Sequence, residues 1–320
     1  MLELQAIREA QGRIRGMVHR TPLVSSQALS DYLGVSVFLK VECLQKTGSF
    51  KPRGAFNKLL SLSAEERQRG VVAVSGGNHA QGVAYAAQRL GCPAIICMPE
   101  TTPANYVNAT RGYGAEIVFT PDIRAAFAET DRLVQEGRAL IHPFDDPLIA
   151  AGQGTIGLEI LEDLPDVTRA YVSIGGGGLI SGVATALRRS NPAIEVIGVE
   201  TAGADAMARS LAENRLVELP AITSIARTLG APKVSAFTFQ HVKELVAEVV
   251  VVDDATTVKE LEFILERTKY LVEPSAACCL AAAARHRERW RPDDKVLLLL
   301  CGGNLSVQDL CAYHQRFMTK

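Results

Sequence analysis

Short apolar, β-branched runs alternate along this chain with alanine-rich stretches whose apolar positions recur at helical spacing. The runs predict strands over residues 36–40, 70–74, 94–98, 116–119, 170–174, 195–199, 247–252 and 296–300. The intervening stretches predict helices over residues 54–62, 80–89, 123–136, 179–188, 256–268 and 275–286. Continuous apolar strands separated by amphipathic helices are the pattern of parallel sheets covered on both faces. The expected class is therefore α/β. No strong internal repeat and no low-complexity linker interrupts the alternation.

Four of the predicted strands end in glycine-rich or polar turns that are expected to lead straight into helices. Val74 runs into Ser-Gly-Gly-Asn-His, Ile174 into four glycines, Val199 into Glu-Thr-Ala-Gly-Ala-Asp, and Leu300 into Cys-Gly-Gly-Asn. In open α/β sheets ligands collect outside the carboxyl ends of the strands, so four such turns suggest one large ligand held from several directions. The run Gly175, Gly176, Gly177, Gly178 is the strongest of them, with a helix expected to open at Leu179. Its unshielded amides, at a helix N-terminus, form an anion cradle suited to a phosphate. One glycine alone would be read as tight helix–strand packing; four in succession lose much more backbone entropy and favour the cradle. The run is not a Walker loop, because the Gly-Lys-Ser/Thr ending is absent, and it fits Gly-x-Gly-x-x-Gly poorly.

Bulk properties exclude several functions. The 320 residues are 48% hydrophobic and 22% charged with a formal net charge of −1, which makes nucleic acid and anionic membranes poor partners. No apolar stretch is long enough to span a bilayer, and the N-terminus is charged and helix-like rather than a signal peptide. Seven scattered cysteines without a Cys-x-x-Cys pair fit reduced thiols and a cytoplasmic location. The length allows more than one core.

Lys51 lies in Lys-Thr-Gly-Ser-Phe-Lys-Pro-Arg-Gly-Ala (46–55), between Phe50 and Pro52. Most lysines are solvated surface charges, but a desolvated one near other cations has a lowered pKa suited to imine formation. This segment resembles the lysine motif of fold-type II pyridoxal 5'-phosphate (PLP) enzymes, in the threonine/serine dehydratase and serine racemase branch. The resemblance continues through His-Arg-Thr-Pro-Leu at 19–23, residues 75–87, 151–160 and 175–182, Glu-Pro-Ser-Ala-Ala at 273–277 and Cys-Gly-Gly-Asn at 301–304. It implies two open, mostly parallel three-layer α/β/α domains of the tryptophan synthase β-like kind. A large PLP-binding domain would comprise residues 1–59 and 147–320, and a small one residues 60–146.

The same resemblance implies site roles. Lys51 carries the cofactor and serves as base. Phe50 lies against the pyridine ring, Asn78 bonds its 3'-oxygen, and Gly175, Gly176, Gly177, Gly178 and Leu179 hold the phosphate. Cys301 faces the pyridine nitrogen, and Glu273 lies near the ring. Ser75, Gly76, Gly77, Asn78 and His79 receive the substrate, although a lone histidine such as His79 is equally a structural residue. Cys301 is a weak partner for the ring nitrogen, which moderates the electron sink and suits β-elimination. Taken alone, Phe50 reads as a core aromatic, Cys301 as an inert buried thiol and Glu273 as a helix-starting carboxylate.

Three departures refine the expectation. Serine racemases of the branch carry a serine at the position of Gly76, and racemisation needs acid/base groups on both faces; dehydration is favoured. The metal site of racemase-like members matches at Glu200 and Ala204, but the next ligand position reads Ala206, with Asp205 one place early; no metal is expected. The segment 225–239 departs from the Ala-Asp-Gly run of threonine dehydratases. The expected activity is dehydration and deamination of L-threonine or L-serine to a 2-oxo acid and ammonia. A larger β-hydroxy substrate (phenylserine, 3-hydroxyaspartate or a hydroxyectoine-derived compound) or a racemase is the alternative, and a non-catalytic PLP-binding protein the third reading. A homodimer or homotetramer is implied, and no feedback-regulatory domain is expected after residue 304.

Overall fold

The computed structural model describes residues 1–319. Its strands are β1 (Leu23–Ser25), β2 (Ser36–Lys40), β3 (Val71–Val74), β4 (Ala94–Pro99), β5 (Glu116–Thr120), β6 (Ala139–Leu140), β7 (Arg169–Ser173), β8 (Glu195–Thr201), β9 (Glu248–Val252) and β10 (Lys295–Leu299). They form a six-stranded sheet, β1-β2-β10-β7-β8-β9, and a four-stranded sheet, β5-β4-β3-β6. Every pairing is parallel except the antiparallel β1–β2 edge. All eight predicted strands are present within two residues of their expected limits. The α/β class and mostly parallel sheets are as expected. Central strands such as β3 are buried at every residue, which explains their unbroken apolar reading.

Five helices begin earlier than the patterning predicts, and in three of them the shift matters. These three are Lys51–Ser61, Asn78–Arg89 and Gly178–Ser190. Lys51, Asn78 and Gly178 are thus each the first residue of a helix rather than part of a preceding turn. Their polar and glycine character hides the first turn from a hydrophobic-periodicity reading. Pro52 at the second position is compatible with a helix start, because the amide it lacks has no intrahelical partner there. Only the fourth turn fails to lead into a helix. Residues 301–306 run as an irregular segment before the helix Val307–Phe317.

A seventeen-residue helix, Pro147–Asp163, joins the two sheets' sequences. Every residue from Ile149 to Ile160 is buried, so it carries no polar stripe that would announce it. Asp146 caps it, accepting from the Leu148 amide at 2.7 Å. Its glycines sit where neighbours press closest: a Cβ on Gly152 would lie 2.6 Å from the Arg53 carbonyl, and one on Gly154 2.9 Å from that of Gly182. This helix therefore packs directly on the lysine helix and on the helix that follows the four glycines. The pair of contacts fixes Lys51 relative to Gly178.

Candidate active site

Lys51 occupies the first position of its helix, after Phe50, whose backbone amide donates to the Cys301 carbonyl at 3.1 Å. The ammonium donates to the Pro143 carbonyl at 2.9 Å and lies 5.2 Å from the Phe50 ring centroid. Burial lowers its pKa from 10.5 to about 8, against opposing attraction from Glu273. Its place at a helix N-terminus is unfavourable for a cation in the same sense. Gly82 lies beneath it, where a Cβ would come within 2.9 Å of the Lys51 Cβ. Phe50 sits beside the ammonium.

Asn78 is buried and both ends of its amide are engaged. Nδ2 donates to Glu273 Oε1 at 2.7 Å, and Oδ1 accepts from Asn304 Nδ2 at 2.8 Å. Asn304 also donates to the Thr47 carbonyl at 2.7 Å, while its own carbonyl accepts from the Tyr106 hydroxyl at 2.8 Å. The lysine loop, the asparagine loop and the exit of β10 are thereby tied together. Asn304 was visible only as the last letter of Cys-Gly-Gly-Asn; its role requires the spatial meeting of three distant segments. Gly48 is needed for this meeting: its φ is +68°, and a Cβ there would stand 2.6 Å from Asn304 Oδ1.

Glu273 precedes the helix Pro274–Arg285 and does not cap it with its side chain. Instead, Oε1 accepts from Asn78, from Thr228 Oγ1 at 3.0 Å and from Ser275 Oγ at 2.6 Å. Oε2 is buried without a partner, and burial raises the carboxyl's pKa. Three donors on one oxygen and none on the other leave a buried acceptor beside Asn78 and Lys51.

Ser75, Gly76 and Gly77 form the turn between β3 and the helix Asn78–Arg89, with the Gly77 amide donating to Ser75 Oγ at 3.1 Å. A Cβ on Gly76 would come within 2.6 Å of Thr102 Oγ1. That hydroxyl therefore fills the space a larger residue would take. His79 is buried. Its Nε2 donates to the Ile141 carbonyl at 2.8 Å, and Nδ1 has no partner. Burial, with Lys51 nearby, holds the imidazole neutral. Of the two readings of His79, the geometry favours the structural one.

The four glycines follow β7. Gly177 has φ +95° and Gly178 opens the helix; Leu179 is buried one position further. The amides of Gly175, Gly176 and Gly177 donate to no protein acceptor among the described residues. A Cβ on Gly176 would fall 2.0 Å from the Phe144 ring, and one on Gly178 2.9 Å from the Phe144 Cα. Close packing and free donors thus coexist here, and the two readings of the glycine run are not exclusive. Unpartnered amides at a helix N-terminus fit an anionic group.

Cys301 is buried. Its sulfur accepts from Ser173 Oγ at 3.4 Å and lies 3.9 Å from Ser275 Oγ. Burial pushes the thiol pKa well up, so it is a neutral group beside Lys51. Glu200 and Ala204 stand at the end of β8 and just after it. The two Glu200 oxygens accept from the amides of Met207 at 3.0 Å and Ala208 at 2.7 Å, and burial pushes its pKa up to about 8. Glu200 therefore serves as an acceptor for a helix start, and Ala204 is buried. Among the described residues no three His, Cys, Asp or Glu side chains converge as a metal-ligand set.

The profile of the family described as "Pyridoxal-phosphate dependent enzyme" matches residues 14–302. The chain belongs to this family. Its members' cofactor is pyridoxal phosphate, and the residues present fit that group: a half-buried lysine of lowered pKa bonds Pro143, the next residue, Phe144, packs on glycines whose amides are unpartnered, and Cys301 is a neutral thiol. The L-threonine ammonia-lyase of Geobacter sulfurreducens is 44% identical over 318 residues, covering 99% of this chain and 79% of the relative. Maize serine racemase superposes with a TM-score of 0.93 at 39% identity, over 99% of this chain and 98% of its own. The processed form of threonine deaminase isoform 2 from Solanum lycopersicum gives a TM-score of 0.92 at 35% identity, over 97% of this chain and 92% of its own.

Proposed function

We propose that this chain is a pyridoxal-phosphate-dependent ammonia-lyase that removes the β-hydroxyl of L-threonine or L-serine, releasing a 2-oxo acid and ammonia. The observation that carries it is Lys51: a half-buried amine with a pKa near 8 that donates to Pro143, next to the Phe144 on which the glycine run packs, in a family of pyridoxal-phosphate enzymes. Bound cofactor supplies an electron sink for negative charge at the substrate α-carbon. Lys51 takes the α-proton through its Nζ. Gly175, Gly176, Gly177, Gly178 and Leu179 hold the phosphate, while Phe50 covers the ring. Asn78 keeps one N–H for the ring oxygen and uses the other on Glu273. Cys301 offers the ring nitrogen a neutral partner, and Ser75, Gly76, Gly77 and Asn78 surround the substrate carboxylate at a helix start. Loss of water leaves an enamine, whose hydrolysis yields the 2-oxo acid and ammonia.

One observation bears on the racemase alternative. Thr102 Oγ1 fills the space beside Gly76, so a hydroxyl is nearby, but on a different backbone segment from the racemase serine. Elimination remains the favoured reading. For larger substrates, Thr228 ties the segment 225–239 to Glu273, which brings this departure from the family's usual run beside Glu273. We further propose two domains, residues 1–59 with 147–320 and residues 60–146; the separate sheets support this, although the first boundary falls inside the last turn of Lys51–Ser61. A cytoplasmic homodimer or homotetramer is the matching assembly; among the described residues no helix is long and apolar enough to cross a membrane.

The test follows 2-oxo acid and ammonia release from L-threonine, L-serine, 3-hydroxyaspartate and phenylserine, with chiral analysis of remaining substrate. Equimolar keto acid and ammonia from threonine or serine supports the proposal. Enantiomer interconversion without keto acid replaces it with racemisation, and a bound cofactor with no turnover replaces it with binding alone.

A further inference from the structure

Three motifs have no task in the site described above: residues 19–23, the Pro-Arg-Gly-Ala that follows Lys51, and residues 151–160. All three meet at Arg53. Its Nε and Nη2 donate to Glu42 at 2.9 and 2.8 Å, and its Nη1 and Nη2 donate to Glu159 at 2.7 and 2.9 Å. Nη1 also reaches Thr155 Oγ1 at 3.1 Å, and Nη2 the His19 carbonyl at 3.3 Å. Lys40 Nζ donates to Glu159 Oε2 at 2.5 Å and to the Thr21 carbonyl at 2.7 Å. The Thr21 hydroxyl donates to Glu42. Two cations and two carboxylates thus form a charge-balanced network, with Arg53, Lys40 and Glu42 at 0% exposure and Glu159 at 6%.

Such a network is a poor source of net stability, because desolvating four charges offsets most of their attraction. Its distinctive product is fixed geometry. Arg53 is two residues after Lys51 on one helix, so the two side chains leave the axis about 200° apart. Clamping the planar Arg53 fork between two carboxylates fixes the rotation of this first turn. The Gly54 amide, donating to Gln153 Oε1 at 3.1 Å, locks the next residue to the same long helix. With that side held, Lys51 is turned toward the Pro143 carbonyl.

We propose that Arg53, Glu42, Glu159 and Lys40 are positioning residues that aim the Lys51 amine, so that the network's integrity sets the rate at which Lys51 reacts. The inference rests on the reading of Lys51 as the reacting amine. Arg53→Lys keeps the charge but loses the two-pronged geometry; Glu159→Gln keeps the shape but unbalances the charge. For each holoenzyme we would measure kcat and KM for L-threonine, the pH midpoint of the visible band of lysine-bound cofactor, and the rate at which that band returns when PLP is added to the apoprotein. Thermal midpoints are recorded alongside.

The expected result is a fall of about tenfold or more in kcat and in the rate of band recovery, with KM within about twofold. The pH midpoint moves by about half a unit or more. A purely structural network would lower the thermal midpoint and leave kcat and the pH midpoint at wild-type values, which overturns the proposal. If neither variant folds, the network is required for the fold itself and the proposal fails as stated. A wild-type protein without a visible band refutes the Lys51 reading instead, so the two failures are distinguishable.

Discussion

Replacing Lys51 by methionine should make the apoprotein more stable at neutral pH while abolishing its chemistry. Burial lowers the amine's pKa from 10.5 to about 8. At about 1.4 kcal/mol per unit, holding the charged amine in place costs about 3 kcal/mol. Methionine keeps the chain length and removes the charge, but forfeits the bond to the Pro143 carbonyl, a loss of about 1 kcal/mol. The net gain is then roughly 2 kcal/mol in unfolding free energy at pH 7. The sign of the pH dependence follows from linkage. Below about 8 the amine is protonated in both states and the full penalty applies; between about 8 and 10.5 the unfolded chain binds more protons, so wild-type stability rises with pH. Urea unfolding of both apoproteins across this range should show Lys51→Met ahead at pH 7 and the gap closing toward 10.5. A wild-type apoprotein more stable than the variant at pH 7, or a gap independent of pH, would refute the reasoning.

Other predictions follow from single contacts. Gly176→Ala should weaken PLP binding and destabilise the protein by about 1–3 kcal/mol through overpacking on Phe144; Phe144→Ala in the same chain should recover the stability, as thermal denaturation will show. Gly76→Ser alone should gain little racemisation because Thr102 blocks the new side chain, whereas Gly76→Ser with Thr102→Ala should raise it, read by chiral chromatography of serine. Glu200, whose pKa is raised to about 8, loses stability as pH climbs from about 4.5 through 8; Glu200→Gln should flatten that decline in pH-dependent unfolding. Because both Glu200 oxygens are bound to amides, added Mg²⁺ or a chelator should leave the thermal midpoint unchanged.

The strands were legible because they are buried and continuously apolar, and the glycine turn because its composition is so unusual. What escaped the patterning escaped for physical reasons. β1 is three residues, β6 is two, and neither is long enough to show a period. Pro147–Asp163 is buried along most of its length with glycines at its crossings, so it lacks the polar face by which helices are recognised. Lys51, Asn78 and Gly178 open their helices with residues that carry no apolar signal. Arg53, Glu159 and Asn304 act through partners over a hundred residues away, a relation no local window contains. His79 stands beside Asn78 in sequence, yet one residue along a helix turns a side chain by about 100°, into the core.

The central claim is that Lys51 bears the cofactor. Borohydride reduction of the holoenzyme, followed by proteolysis and mass spectrometry, tests it most directly by making the attachment permanent. The account predicts one phosphopyridoxyl-modified peptide, carrying the label on Lys51, and none from Lys51→Ala. A label on Lys46, Lys40 or another lysine, or one that persists in Lys51→Ala, would contradict it.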